Sequence, residues 1–412
     1  MPAVRLAARW VLPVDGPPIG GGAVLIGADG RIAAVGRDVR VPAPEGVERL
    51  SFPDAAITPG FVNTHTHLEL TGFEGQVEDG EFAAWIRRLR ELKDRRPVAD
   101  YLAAAKRGLS DCWAAGITTI ADTGDRGVVI QALAECGGAG VAYQEVFGPH
   151  PAQVSESMAG LEAVLARLRA LESPRVRLGV SPHAPYTVSG PLYRAVSRYA
   201  REEALPVAVH LAESPAETQL LRAAAGPFAE AWERRGIPLP RLPGRSPVAW
   251  LDEHGVLGER TLCIHVVQVD ADDVARLAGA GVAVAHCPLS NRRHGHGDAP
   301  LGGLLAAGLR VGVGTDSVAS VGCLDLLAEA RAAKVLAGLS AEAALALATL
   351  EGARALGLAD EVGSLVAGKW GDVAVIRLRS EQSPVEQVLN SGPEAVVATF
   401  VGGRRVFGGT GA

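Results

Sequence analysis

The sequence predicts an α/β fold: a (β/α)8 barrel flanked by a small β-sandwich that both chain ends build. Three observations carry this expectation. From Thr58 onward, apolar strand patterns alternate with amphipathic helical stretches, the mark of a parallel α/β fold. Eight strand patterns of that kind occur before residue 355, the number that closes a barrel. Both ends depart from the alternation and read as short strands and turns. The expected division is therefore 1–57 for the first part of the sandwich, 58–355 for the barrel and 356–412 for the second part of the sandwich.

The elements justify this in order. VRLAARWVL, then AVLIGADGRIAAVG with a turn at Asp29-Gly30, then VERLSFP read as small antiparallel β structure. The barrel strands follow: ITPGFVNTH (57–65), GITTIADTG (116–124), GVAYQEVFG (140–148) and VRLGVSPHAPY (176–186). After them come PVAVHLAE (206–213), TLCIHVVQV (261–269), GVAVAHCPLSN (281–291) and RVGVGTDS (310–317). Between them lie Ala- and Leu-rich segments such as EFAAWIRRLRELKD and PLYRAVSRYAREE, ending near Gly or Pro. A doubly wound sheet is the alternative, but it wants a glycine-rich phosphate turn after an early strand, and none occurs. The connection from Pro215 to Pro247, with GIPLPRLPGRSP, reads as a lid or surface excursion. Beyond LSAEAALALATLEGARALGL, strands return in GSLVAGKWGDVAVIRL and AVVATFVGGRRVF.

Composition bounds the function. The 412 residues are 48% hydrophobic and 21% charged, as in a globular enzyme. A net charge of −6 argues against a nucleic-acid or anionic-membrane partner. No apolar run approaches the ~20 residues of a membrane span, and arginines interrupt the N-terminal apolar residues, so no signal peptide is expected. Five scattered cysteines without a CxxC suggest reduced thiols in a cytoplasmic protein. Cys287, beside His286, reads as a small buried hydrophobe rather than a nucleophile.

Chemistry gathers at the strand ends. In His65-Thr66-His67 the two imidazoles project from the same face of a strand, close enough to share one ion. Alone, the pair is as readily a coincidence of spacing as a pair of ligands. His183, His210, His265 and His286 also fall at or near strand ends, and Asp316 ends the eighth strand. Three histidines and a carboxylate suit zinc, or ferrous iron with its similar ligands. Glu213 lies three residues beyond His210, close to such an ion without having to bind it. A carboxylate there can carry a water proton onward.

PGFVNTHTH, HLAE, CIH, HCPLSN and GTDSVAS, followed by GARALGL and GSLVAGKWGDVAVI, resemble the amidohydrolase superfamily. More narrowly they resemble its cytosine/adenosine-type deaminase and chlorohydrolase branch. The similarity runs over nearly the whole chain. It implies a TIM barrel with a flanking β-sandwich and one divalent metal, zinc or alternatively Fe2+, in the barrel mouth. It also implies that His65, His67, His210 and Asp316 bind metal, that Glu213 shuttles protons, and that His265 positions the attacking hydroxide; Asp316 can act in catalysis too, by accepting a hydrogen bond from that hydroxide. Binuclear members bridge two metals with a strand-four lysine. None of the four lysines here lies in that strand, so a mononuclear site is expected, with Glu145 as the alternative bridge.

The resemblance further implies that His183, in SPHAPYT, faces substrate. Glu145 sits at a strand end, where it either binds a sugar hydroxyl or serves the structure. Glu69, Trp85, Glu91 and Asp94 follow the first barrel strand where this branch reaches a ribose; for Glu91 and Asp94 the alternative is a solvated helix face. His294 and His296, in RRHGHGDAP, read as loop or pocket-lining residues rather than a second metal site, and Arg292 and Arg293 offer cations to an anionic substrate group. HTHLEL, YQEVFG, SPHAPYTVS and GPFAEAW…PGRSPVAWLDEHGVL resemble enzymes that deaminate 6-aminodeoxyfutalosine on the route to menaquinone. The alternatives are S-adenosylhomocysteine or methylthioadenosine, or another aminated heterocycle such as guanine, cytosine or a triazine. The expected partners are a small-molecule substrate and, in a homodimer, a second copy of the chain.

Overall fold

A computed structural model of the chain describes residues 2–77, 80–240, 244–380 and 383–408. Strands β1 (Val4–Val11), β2 (Ile19–Ile26), β3 (Ile32–Arg37) and β4 (Glu48–Pro59) come first. The barrel strands are β5 (Phe61–Thr66), β6 (Ile117–Gly124), β7 (Gly140–Val146), β8 (Val176–Pro182), β9 (Val207–Leu211), β10 (Thr261–His265), β11 (Ala283–His286) and β12 (Arg310–Val313). The chain ends with β13 (Val373–Arg377), β14 (Val396–Val401) and β15 (Arg404–Phe407). The eight strands β5 to β12 hydrogen-bond in sequence order, all in parallel.

Closure brings β12 back to β5. Asp316 N–H donates to the His65 carbonyl at 3.0 Å, and Asn63 Nδ2 donates to Thr315 Oγ1 at 2.8 Å. A Cβ on Gly314 would lie 2.7 Å from His65 N, so only glycine allows the two chain segments to approach this closely. Alternation along the strands follows the sequence period of two. Ala208, Leu262 and Ile264 pack inside the barrel, while Val207, Val209, Leu211 and Cys263 face the surrounding helices.

Both chain ends build the flanking unit, a seven-stranded sheet in the order β15-β14-β13-β4-β1-β2-β3. Its core holds Leu6, Ile26, Ile57, Val375 and Phe400. It is not wholly antiparallel as its short strands suggested, because β1 and β4 pair in parallel. After the β2–β3 hairpin the chain crosses to the other edge of β1 and enters β4 beside the start of β1, with Glu48 opposite Val4, so the two strands run the same way. Gly60 alone separates β4 from β5, so the sheet is tied directly to the strand carrying His65.

Where it is described, much of the connection after β9 is helical and packed. It forms helices Pro215–Ala223 and Pro227–Arg234. Leu220, Leu221, Phe228 and Trp232 are buried against Phe82, Trp85 and Tyr186, and Trp232 Nε1 donates to the Tyr186 carbonyl at 2.9 Å. Residues 241–243 of the connection lie outside the described residues. Among the described residues no helix is long and apolar enough to cross a membrane.

Candidate active site

His65, His67, His210 and Asp316 converge at the C-terminal mouth of the barrel. The ring centroids of His65 lie 4.7 Å from those of His67 and 4.9 Å from those of His210. Asp316 Oδ1 is 3.6 Å from His65 Nε2 and 3.5 Å from His67 Nε2. These separations are long for hydrogen bonds. They match the ligand–ligand edge of a tetrahedral ion, about 3.4 Å at bond lengths of ~2.1 Å. Both ring nitrogens of His65 are buried without a hydrogen-bond partner, a cost that coordination removes. His67 Nδ1–H donates to the Thr123 carbonyl at 2.7 Å, and His210 Nδ1–H to that of His183 at 3.3 Å. Both leave Nε2 as the free lone pair, the usual way a supporting bond orients a metal-binding histidine.

Electrostatics suit the same ion. Burial, with His65 beside it, lowers the His67 pKa to about 3, and burial also holds His210 and His265 well below their ordinary value. All are neutral imidazoles at neutral pH. Burial opposes ionisation of Asp316, yet contact with His65 and the proximity of His67 hold its carboxyl well below the usual range. Ser290 Oγ donates to Asp316 Oδ2 at 2.5 Å and Ser317 N–H to Oδ1 at 2.7 Å. Neutral imidazoles with one ionised carboxylate fit a divalent cation.

Backbone strain aims the remaining groups. His265 would share the outward face of Cys263, but its φ of +73° turns the ring inward, and Ala212 at φ +51° redirects Glu213 after β9. Asp316 itself has φ +56°. Left-handed backbone at non-glycine residues is costly and gathers at functional sites. Glu213 Oε1 lies 3.5 Å from His265 Nε2, and the Tyr186 hydroxyl donates to Oε2 at 3.5 Å. Burial, then the charges of Asp316 and Glu217, push the Glu213 carboxyl well above its usual range.

A cavity of about 440 Å3 opens over this cluster, within the size range of small-molecule sites. Phe82 and Trp85 line one side, with His294 4.5 Å from Trp85 between ring centroids. His183 lines it too, 4.0 Å from Glu145 Oε1, with Nδ1 2.8 Å from Thr187 Oγ1. Burial raises the Glu145 carboxyl to about 8. Asp94, exposed on helix Phe82–Arg95, lies farther out, and Arg90, Arg126 and Arg235 complete the outer wall.

The sequence profile of the amidohydrolase family matches residues 56–406. The chain belongs to the amidohydrolase family. An aminodeoxyfutalosine deaminase of Deinococcus radiodurans is 36% identical over 333 residues, covering 77% of this chain and 76% of that protein. A 5-methylthioadenosine/S-adenosylhomocysteine deaminase of Moorella thermoacetica is 32% identical over 380 residues, covering 90% and 84%. Among solved structures, a zinc-bound adenosine deaminase of Xanthomonas campestris superposes with a TM-score of 0.85 at 25% identity, covering 98% of this chain and 92% of that one.

The amidohydrolase leaves several other sequence-highlighted residues outside the cavity. Glu69 is buried and paired with Lys93 Nζ at 3.0 Å, behind the cavity wall rather than in it. Arg292 pairs with Asp298 at 3.2 Å, and neither it nor Arg293 lines the cavity; Arg90, Arg126 and Arg235 present the cations instead. Cys287 is buried, and burial raises its thiol pKa well above the usual value, in line with a small core residue. Glu217 escaped the sequence reading. Its carboxylate accepts from Ala212 N at 2.8 Å and Glu213 N at 3.0 Å, fixing the turn that carries Glu213. The signal was present in Ser214-Pro-Ala-Glu217, a capping-box spacing. Asn291, whose Oδ1 lies 2.9 Å from His265 Nδ1, sits within HCPLSN, but nothing in that motif names its partner.

Proposed function

We propose that this amidohydrolase hydrolytically deaminates an aminated purine nucleoside, and that its substrate is 6-aminodeoxyfutalosine, giving futalosine and ammonia. The relative of that name at 36% identity carries the reading. The cavity supports it physically. Flat walls from Phe82 and Trp85 suit a purine, Asp94 suits a ribose diol, and Arg90, Arg126 and Arg235 suit the carboxylate of the benzoate-bearing extension. Relatives named for 5-methylthioadenosine and S-adenosylhomocysteine support a second reading with the same chemistry. Zinc, a cytoplasmic location and a homodimeric assembly belong to this proposal.

In this mechanism His65, His67, His210 and Asp316 would hold the ion. A divalent ion there would supply Lewis acidity and a water activated near neutral pH. Glu213 takes one proton from the attacking water and delivers it to a ring nitrogen, then takes the second from the newly added hydroxyl, as it becomes the carbonyl, and passes it to the leaving amine, a cycle that a raised carboxyl pKa favours. His265, whose Nδ1–H is held by Asn291, turns its Nε2 lone pair to the attacking water and accepts a hydrogen bond that positions it. Net, water adds oxygen at the ring carbon and the exocyclic nitrogen leaves as ammonia. His183 and Glu145 hold the nucleoside against the opposite wall.

The deciding experiment is an ultraviolet and ammonia-release assay of zinc-loaded protein against 6-aminodeoxyfutalosine, S-adenosylhomocysteine, methylthioadenosine and adenosine. A kcat/KM at least tenfold higher for the first is expected. Preference for the thio-nucleosides transfers the enzyme to the second reading, and inactivity on all four ends the purine proposal.

A further inference from the structure

The HGHG turn after β11 carries an imidazole that the mechanism above leaves unused. Gly295 at φ +68° and Gly297 at φ +94° bracket His296, and these left-handed bends, open to glycine, fold the ring inward. His296 N–H donates to the Asn291 carbonyl at 2.9 Å, and Gln268 Nε2 donates to the His296 carbonyl at 2.5 Å, so the backbone is fixed through both of its polar groups. The residue is 2% exposed and stands edge-on to Phe82, with ring centroids 4.4 Å apart. Neither ring nitrogen has a hydrogen-bond partner, although burial of an unpaired polar atom is costly. Among the described residues no group of three ligand atoms suited to a metal includes His294 or His296.

The ring is aimed at the proton carrier. His296 Nδ1 lies 3.7 Å from Glu213 Oε1, the oxygen that His265 Nε2 approaches to 3.5 Å. His265 Nδ1–H is committed to Asn291 Oδ1 at 2.9 Å, which leaves a lone pair at Nε2. Oε1 therefore faces an acceptor on the His265 side, where it can give up a proton, and needs a donor on another side once it is ionised. Burial and the neighbouring His294 lower the His296 pKa to about 3, so the ring is neutral and has one N–H to offer. Contacts of this length tighten when substrate is bound.

We propose that His296 is a positioning residue for Glu213, donating Nδ1–H to Oε1 and holding the ionised carboxylate in its proton-transfer orientation. The inference rests on the reading of Glu213 as the proton carrier. It is tested with H296N, H296Q and H296F in the zinc-loaded enzyme. Asparagine keeps an N–H donor where Nδ1 stood, glutamine moves it to the Nε2 position, and phenylalanine keeps the shape without a donor. H296F and H296Q are expected to lose kcat by roughly 10- to 100-fold, the worth of one hydrogen bond to a charged group, with KM within about twofold. H296N should recover most of the loss.

A substrate-independent arm uses infrared spectroscopy of the Glu213 carboxyl, assigned by the band lost in E213Q. That band should shift in H296F and H296Q and stay in place in H296N. Wild-type kcat with an unshifted band in H296F overturns the proposal, as does an H296N protein no better than H296Q. A wild type inactive on every aminated purine, with the band shifts intact, sinks the deaminase reading and supports the contact between His296 and Glu213.

Discussion

Asp316 shows how much of the site depends on the groups that hold a single carboxylate in place. Its carboxylate is held by Ser290 Oγ and Ser317 N–H as well as by the histidines around it. Removing the Ser290 hydroxyl with S290A is expected to weaken metal affinity by roughly 10- to 100-fold, read by competition with a chromophoric chelator. Glu145 makes a pH prediction. Its folded pKa rises from 4.5 to about 8, chiefly through burial, so the folded state binds its proton more tightly than the unfolded chain. The stability this contributes is full below pH 4.5 and is lost as pH climbs through about 8. The melting temperature of E145Q, which cannot titrate, should therefore rise relative to wild type across that window; a pH-independent difference would contradict the assignment.

At the scale of elements, the cavity wall belongs to segments outside the barrel strands. Helix Phe82–Arg95 supplies Trp85 and Asp94 and is anchored through Lys93, whose ammonium bridges Glu69 and Asp125 at 3.0 Å each. Substituting Lys93 with Met leaves Glu69 buried and uncompensated, a loss of about 3–5 kcal/mol for a buried pair broken on one side, measured by denaturant unfolding. The K93M, E69Q double variant should recover much of it. The helix Pro227–Arg234 is secured by Trp232. W232A should lower stability by about 3–5 kcal/mol and raise KM, because Arg235 follows directly from that helix into the cavity wall.

For the whole molecule, folding and the metal site are coupled through barrel closure. The proposed ligands come from β5 and the residue after it, from β9 and from the residues after β12, so they meet only when the first and last barrel strands pair. An ion that binds only the closed barrel adds about 2.7 kcal/mol of stability at a free concentration 100 times its Kd. Chelation should therefore lower the melting temperature and zinc restore it, an effect absent from D316A. The (β/α)8 order was legible in the sequence because each buried strand announces itself through local apolar patterning and Gly or Pro punctuation. The parallel β1–β4 pairing was not, because a returning strand's direction depends on the path of the connection before it, which local patterning does not record.

The sequence by itself determined the barrel, the flanking strands at both ends, and the histidines and carboxylates placed at strand ends, since periodicity and short motifs are local properties. Tertiary structure alone decided that Arg90, Arg126 and Arg235 rather than Arg292 and Arg293 face the cavity. It also decided that Glu217 secures the Glu213 turn and that His296 points at Glu213. Each depends on where a side chain emerges from a loop or helix end, and on left-handed turns such as those at Ala212 and His265. There the alternation of a strand no longer predicts direction, and only the packing of distant segments fixes what a side chain meets.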